Sequence, residues 1–414
     1  MDIIYGKRLC LISCKLSDFG VPGYSCDAEL MKPSKTIPSN VNAVRPADIK
    51  VVMALGDSIT AGNGAGAEDP LAVLLQYRGL AFHAGGDKSL DEHVTIPSLQ
   101  WTPPIGCAFF NILSAKEGLI FLWLFLNRPA FCIRGGCTLA KYGHTEKKYN
   151  PNLFGYSVGI GSPNVWEIAH LNVAMPGANA ADLPRQARQL VGLLEQHPQS
   201  VNMKDDWKLL NIFIGGNDIC DYCTNPVLSY EPRICVEHIK EAIQIIYDKV
   251  PRVIISLTTM MHLEILRQTD HGHFFLHIVS QACVEYSNYE IALGASGVFE
   301  KEDFTLVVQP FLRDITRPPM KVRYEILEVF TVLLLGGKYD MEIFAPDCFH
   351  LSQYGHALVS TWLWKNILEP VGNKTTEGSF SGPALPLACP DTNCPFIRTN
   401  LNSANCSKYM ALTT

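Results

Sequence analysis

The sequence predicts an α/β protein, a three-layer α/β/α sandwich around a mostly parallel sheet of five strands. Two patterns carry this expectation. Five short runs of strand length are apolar almost throughout rather than alternating, which suits strands buried on both faces of a parallel sheet. Stretches with apolar residues at helical spacing alternate with them, and strand–helix alternation with right-handed crossovers builds an open sandwich.

Taken in order, the strand candidates are residues 49–55 (IKVVMAL), 170–174, 209–214, 253–257 and 305–308. The first helix candidate, 181–196, sets Leu183, Ala187, Leu190, Val191 and Leu194 on one face. The second, 236–249, does the same with Ile239, Ala242, Ile243 and Ile246, and the third spans 358–368. One unit over residues 46–372 accommodates all of them. An irregular lead-in (1–45) rich in Pro, Ser, Asn and Cys precedes it, and an irregular, Cys-containing tail (373–414) follows. No internal repeat stands out.

Of the 414 residues, 47% are apolar and 18% charged, the balance of a globular chain. The net charge of −6 is mild and the basic residues are scattered, which argues against a nucleic-acid partner. Fourteen cysteines, with glycosylation sequons at Asn373 and Asn405, favour an oxidising secretory compartment, extracellular or at the cell surface. The first twenty residues lack a sustained apolar core, so no signal peptide is evident. The apolar runs at 118–126 and 326–335 fall short of the roughly 20 residues a spanning helix needs. The chain therefore reads as a fragment, or an imperfect gene model, of a secreted protein.

Chemistry concentrates at three strand ends or turns. Gly56-Asp57-Ser58 follows the first strand directly, and ligands of open α/β sheets bind beyond the carboxyl ends of strands. Gly56 permits a tight turn that presents Ser58. A helix starting near residue 60 would add N–H groups that favour an oxyanion. The same residues also fit a plain Ser-Thr cap of a βα turn.

Asp347-Cys-Phe-His350 spaces a carboxylate and an imidazole three residues apart, so on a helical turn they share a face. Asp347 would fix the tautomer of His350, leaving Nε2 to take the serine proton. Such spacing is also common at a capped helix start, and His356 just beyond offers a metal-site reading. No set of carboxylates near Ser58 completes such a site.

Ile214-Gly215-Gly216-Asn217-Asp218 ends another strand, where the Asn217 amide could donate to an oxyanion. A Gly-Asn turn explains the same residues without any chemistry. Gly177, in Asn172-Val-Ala-Met-Pro-Gly177-Ala-Asn179, makes a further strand-end glycine turn.

In this order, G-D-S, a glycine turn, G-G-N-D and D-x-x-H, the set resembles the four blocks of the GDSL/SGNH hydrolase family. Ser58, Gly177, Asn217 and His350 stand at the signature positions, and Ile59 replaces the usual leucine. The resemblance implies a flavodoxin-like sandwich and a Ser58–Asp347–His350 triad. It also implies an oxyanion hole made by the N–H groups of Ser58 and Gly177 with the Asn217 side chain. No metal or cofactor is required. Longer segments, among them RPADIKVVMALGDSITAGNGAGA (45–67), LNVAMPGANAADLPRQA (171–187) and APDCFHLSQYGHALVSTWLWKNILEPVGNKTT (345–376), resemble the repeat units of the phospholipase B branch. Through them the expected substrates are acyl esters of glycerophospholipids or lysophospholipids, with a membrane surface as their source. A general carboxylesterase, or a secreted glycoprotein domain that keeps the motifs without activity, are the alternatives.

Residues 101–148 and 322–338 depart from the family pattern as insertions. Both are unusually apolar for solvated loops, which favours translated non-coding sequence or alternative exons over surface loops. Cys220 and Cys223 have the spacing of a zinc knuckle or redox pair, yet a structural disulfide suits an oxidising compartment better. Cys348 could anchor the loop between the triad partners. His262, His271, His273 and His277 read as surface residues.

Overall fold

The computed structural model describes residues 20–21, 23–100, 149–150, 152–224, 231–262, 276–316, 341–379 and 387–412. The insertions at 101–148 and 322–338 therefore lie outside the described residues, as do His271, His273 and the side chains of Cys223 and His277. In chain order the main elements are β1 (Ile49–Gly56), α1 (Ile96–Gln100), α2 (Leu183–Gln196), β2 (Trp207–Phe213), α3 (Gly216–Thr224), α4 (Pro232–Lys249), β3 (Val253–Thr258), α5 (Leu276–Ala295), β4 (Phe304–Gln309), α6 (Gln353–Leu368), α7 (Asn400–Ala404) and α8 (Ser407–Met410).

The four strands pair in the order β1-β2-β3-β4, parallel throughout. Gly56 pairs with Phe213 and Leu257 with both Ile212 and Val308, so the strands end close to one line. Every residue of β2 and β3 is buried, as their largely apolar runs lead one to expect. Helices α2, α4 and α5 lie side by side, each touching the next. Residues 82 and 83, with α6, cover the opposite face, where Phe82 meets both Phe213 and His356. Helix α6 is buried on nearly all sides, and Ser352 caps it by accepting the Gly355 N–H at 3.1 Å.

The sheet has four strands among the described residues, one fewer than expected, because residues 170–174 do not form a strand. They make one parallel bridge to β1, between Asn172 and Ala54. Ala54 N–H donates to Leu171 O at 3.1 Å, and the N–H groups of Val173 and Met175 donate to Ala54 O and Gly56 O. The outward carbonyls of this segment meet no further strand. Arg78 takes them instead: its Nη1 donates to Asn172 O at 3.0 Å and its Nη2 to Ala174 O at 2.7 Å. At the segment's start His170 has φ +44°, which breaks the extended run. Phe154 completes the same edge, accepting from Val52 N–H and donating to Lys50 O.

Arg78 is fully buried, and its Nε also donates to Gly161 O at 2.8 Å. No carboxylate lies within ion-pair distance of it among the described residues, and burial pulls its pKa down to about 9. It thus serves as a backbone clamp rather than half of a salt bridge.

The tail is anchored. Cys26 pairs with Cys389 and Cys394 with Cys406, so the first disulfide ties lead-in to tail across 363 residues of sequence. Helices α7 and α8 stand in that tail, with Thr399 capping α7. No helix among the described residues is long and apolar enough to cross a membrane.

Replacing Arg78 with Met should lower the unfolding free energy by about 3–5 kcal/mol, since three buried carbonyls lose their donor. Arg78→Lys, which keeps the charge but not the fork, should lose about half as much. Urea unfolding followed by circular dichroism measures both. An unchanged midpoint in R78M would remove Arg78 from this role.

Candidate active site

β1, β2 and the 171–175 segment are neighbours that run the same way, so their carboxyl ends bring three loops together: 57–66, 176–180 and 214–218. Ser58 sits two residues beyond Gly56 and is buried. Gln186 on α2 holds the turn from below. Its Oε1 accepts the Gly56 N–H at 3.0 Å and its Nε2 donates to Gly56 O at 2.8 Å. With no helix beginning near residue 60, the backbone after Ser58 forms tight turns, since Gly62 and Gly64 take φ of +73° and +71°. The expected helix dipole is therefore absent, and Asn63 N–H closes the turn on Ser58 O at 2.9 Å.

Asp347 and His350 lie in a turn between Phe344 and Leu351, which bridge each other, rather than on a helix. Asp347 Oδ1 accepts the N–H groups of Phe349 and His350, both at 3.0 Å, while Cys348 adopts φ +58°. This Asx turn frees Oδ2, which lies 2.6 Å from His350 Nδ1. His350 Nε2 lies 2.8 Å from Ser58 Oγ. Burial alone would raise the Asp347 carboxyl, but the hydrogen bond and charge of His350 hold it below its usual value.

Gly64 lets the two loops meet. A Cβ there would lie 2.9 Å from Ala345 Cβ and 3.5 Å from His350 Cβ, and the positive φ also disfavours a side chain. Gly177 has φ +76° at the exposed lip of the site. Helix α3 pins its loop at three points. Asn217 Nδ2 donates to Ala178 O at 2.9 Å, Asn179 Nδ2 donates to Asp221 Oδ2 at 2.9 Å, and the Ala180 N–H donates to the Asp218 carboxylate. The first loop is tied in by Asn172, whose Nδ2 donates to Thr60 O at 2.9 Å.

Of the five sequence-predicted site residues, Ser58, Gly177, Asp347 and His350 thus lie on loops and Asn217 in the first turn of α3, all joined by hydrogen bonds or close packing. His356 does not join them. It is a core histidine that accepts the Phe82 N–H, with its pKa drawn down to about 3 by burial and by His93 and His350. His262 is buried and not on the surface, because it continues the buried stretch after β3. The described residues contain no group of three or more metal-ligating side chains.

The family model for GDSL-like lipases and acylhydrolases matches residues 52–363, a span that contains all five residues. The chain belongs to that family. It is 33% identical over 400 residues to membrane-associated phospholipase B1 of Homo sapiens, which covers 90% of this chain and 23% of the relative. The corresponding proteins of Rattus norvegicus and Mus musculus are 33% and 34% identical, each over 90% of this chain and 22% of their own length. The chain thus spans less than a quarter of the length of these relatives.

Sequence reasoning passed over Arg78, Asn172, Gln186 and Gly64. The small-residue stretch AGNGAGA was the one local signal for Gly64. Nothing local marks the other three, which act on backbone 83 to 130 residues away.

Beneath Ser58 lies a buried acidic group. Burial raises Asp57 to about 7; the Ile59 N–H and His350 oppose this, and Asp218 adds to it. Burial likewise raises Asp218. Because Asp57 holds its proton above the ordinary 3.8 in the folded state, the unfolded chain releases that proton first, and stability falls as pH rises from about 4 to 7. Asp57→Asn keeps the Ile59 contact and removes this dependence. Calorimetry should show the melting temperature of D57N gaining on wild type across that window. Parallel curves would contradict it.

Proposed function

We propose that the chain hydrolyses acyl esters of glycerophospholipids or lysophospholipids, with Ser58 as nucleophile, His350 as general base and acid, and Asp347 as the carboxylate that orients the imidazole. The observation that carries this is the unbroken line from Ser58 Oγ to His350 at 2.8 Å and on to Asp347 at 2.6 Å, joining residues 292 apart in sequence.

Asp347 Oδ2 accepts the Nδ1 hydrogen, which leaves Nε2 a lone pair for the Ser58 proton. As the proton moves, Oγ attacks the acyl carbonyl carbon and the carbonyl oxygen takes up negative charge. Three donors are assigned to that oxygen. The N–H groups of Ser58 and Gly177 have no acceptor among the described residues, and Asn217 Nδ2 uses one of its two hydrogens on Ala178 O. Each such donor lowers the barrier by about 3 kcal/mol. The intermediate collapses as the imidazolium protonates the leaving oxygen, and water repeats the sequence on the acyl-enzyme.

The substrate class is supported by the three relatives, whose names specify a membrane-associated phospholipase B1. A catalytic unit over residues 46–372 fits the family match at 52–363. Secretion fits the two disulfides and the exposed Asn373 and Asn405, which we assign as glycosylation sites.

A fluorophosphonate probe should label the wild-type protein. Ser58→Ala should abolish labelling and reduce turnover by about 10⁴-fold or more. Folded wild-type protein that takes no label would sink the mechanism. Cleavage of a short soluble ester without any cleavage of lysophosphatidylcholine would leave a carboxylesterase and overturn the phospholipid assignment.

A further inference from the structure

Beside the site the chain exposes leucines where a soluble surface normally carries polar groups. Leu71 and Leu74 are 81% and 77% exposed, and Leu75 is 46% exposed. Ile160 at 48% stands next to them, since Gly161 N–H donates to Gln76 O and Gly79 N–H to Gly159 O, both at 3.0 Å. A typical monomer scatters such residues singly; here four flank one another.

The leucine turn is a built feature. Asp69 Oδ1 accepts the N–H groups of Leu71 and Ala72 at 2.8 and 3.0 Å and fixes its start. Val73 points inward, buried with Ala67 and Ala345. The turn also belongs to the site. Gly64 N–H donates to Leu75 O at 3.1 Å, and the Cβ position of Gly64 lies 3.3 Å from Val73 and 3.5 Å from His350 Cβ. A surface that receives these leucines therefore lies against the loops carrying Ser58 and His350.

We propose that residues 69–75, with Ile160, form the face by which the protein docks onto a zwitterionic lipid surface. Projecting leucines, rather than a groove, suit insertion between acyl chains, where each buried CH₂ adds to binding. The charges of the turn select the lipid. Glu68 and Asp69 are its exposed ionic groups, and no exposed Lys or Arg lies between residues 62 and 82. An anionic surface repels this face, whereas the outward ammonium groups of phosphatidylcholine complement it. Docking would present an ester to Ser58 without lifting the whole lipid into water. The proposal rests on the phospholipid reading above.

Binding and catalysis are separated by using Ser58→Ala protein, which cannot consume the vesicles. It should co-sediment with phosphatidylcholine vesicles, and much less with vesicles containing phosphatidylglycerol. Adding Leu71→Ser and Leu74→Ser should weaken sedimentation at least about tenfold. In otherwise wild-type protein the same pair should leave the melting temperature and hydrolysis of a monomeric short-chain ester unchanged. Equal sedimentation with and without the leucines, or a preference for anionic vesicles, overturns the docking face. So does sedimentation with neither vesicle. Leucine-dependent sedimentation by a protein that cleaves no lipid instead counts against the substrate reading and upholds the docking face.

Discussion

β1 hydrogen-bonds along both edges, to β2 on one side and to Phe154 and residues 171–175 on the other. This double pairing fixes the spacing of the three loops that leave the carboxyl end of the sheet. A buried strand must satisfy every N–H and C=O, so the register of β1 against both neighbours is tightly specified. Ser58 follows two residues after that register ends. Gly177 and Asn217 follow the neighbouring segments, and the loop carrying Gly177 is stitched to α3 by Asn217, Asp218 and Asp221. Precision at the site is inherited from backbone pairing below it.

Two carboxylates within a few residues of Ser58 and His350 are held in opposite ways, and the difference is solvation. Asp347 lies at the surface in a turn that gives it two N–H donors and an imidazole, so its charge is stabilised. Asp57 is fully buried, and that burial, with Asp218 close by, outweighs the backbone donors at Ile59 and Thr60, so its charge is disfavoured. The same residue type is thus shifted in opposite directions by its surroundings, up for Asp57 and down for Asp347.

The parts legible in the sequence are those governed by local pattern. β1 to β4 are mostly apolar, rather than alternating, because both faces are covered, and α2 carries its five-residue apolar face as spaced. The candidate site residues stand out in the sequence because glycine turns and short polar clusters at strand ends are local as well. Residues 170–174 have strand composition yet pair with β1 at a single bridge, because Phe154 and Gln186, both distant in sequence, take the β1 N–H groups on either side of it. The helix expected near residue 60 gives way to turns set by Gly62 and Gly64. His262 looked solvated, and its burial is decided by packing around the end of β3 that no local pattern encodes.

Gly64 links the catalytic geometry to the surface that surrounds it. Its missing side chain lets the 345–350 turn close on Ser58, and its N–H holds Leu75, so one residue sets both the approach of His350 and the position of the exposed leucines. A substitution there cannot move one without the other. A side chain at 64 would push on Ala345 and Val73 together, lengthening the His350–Ser58 contact and tilting the leucine turn. Under the docking proposed above, this shared packing would hold the leucine face and the Ser58–His350 line in a fixed relation.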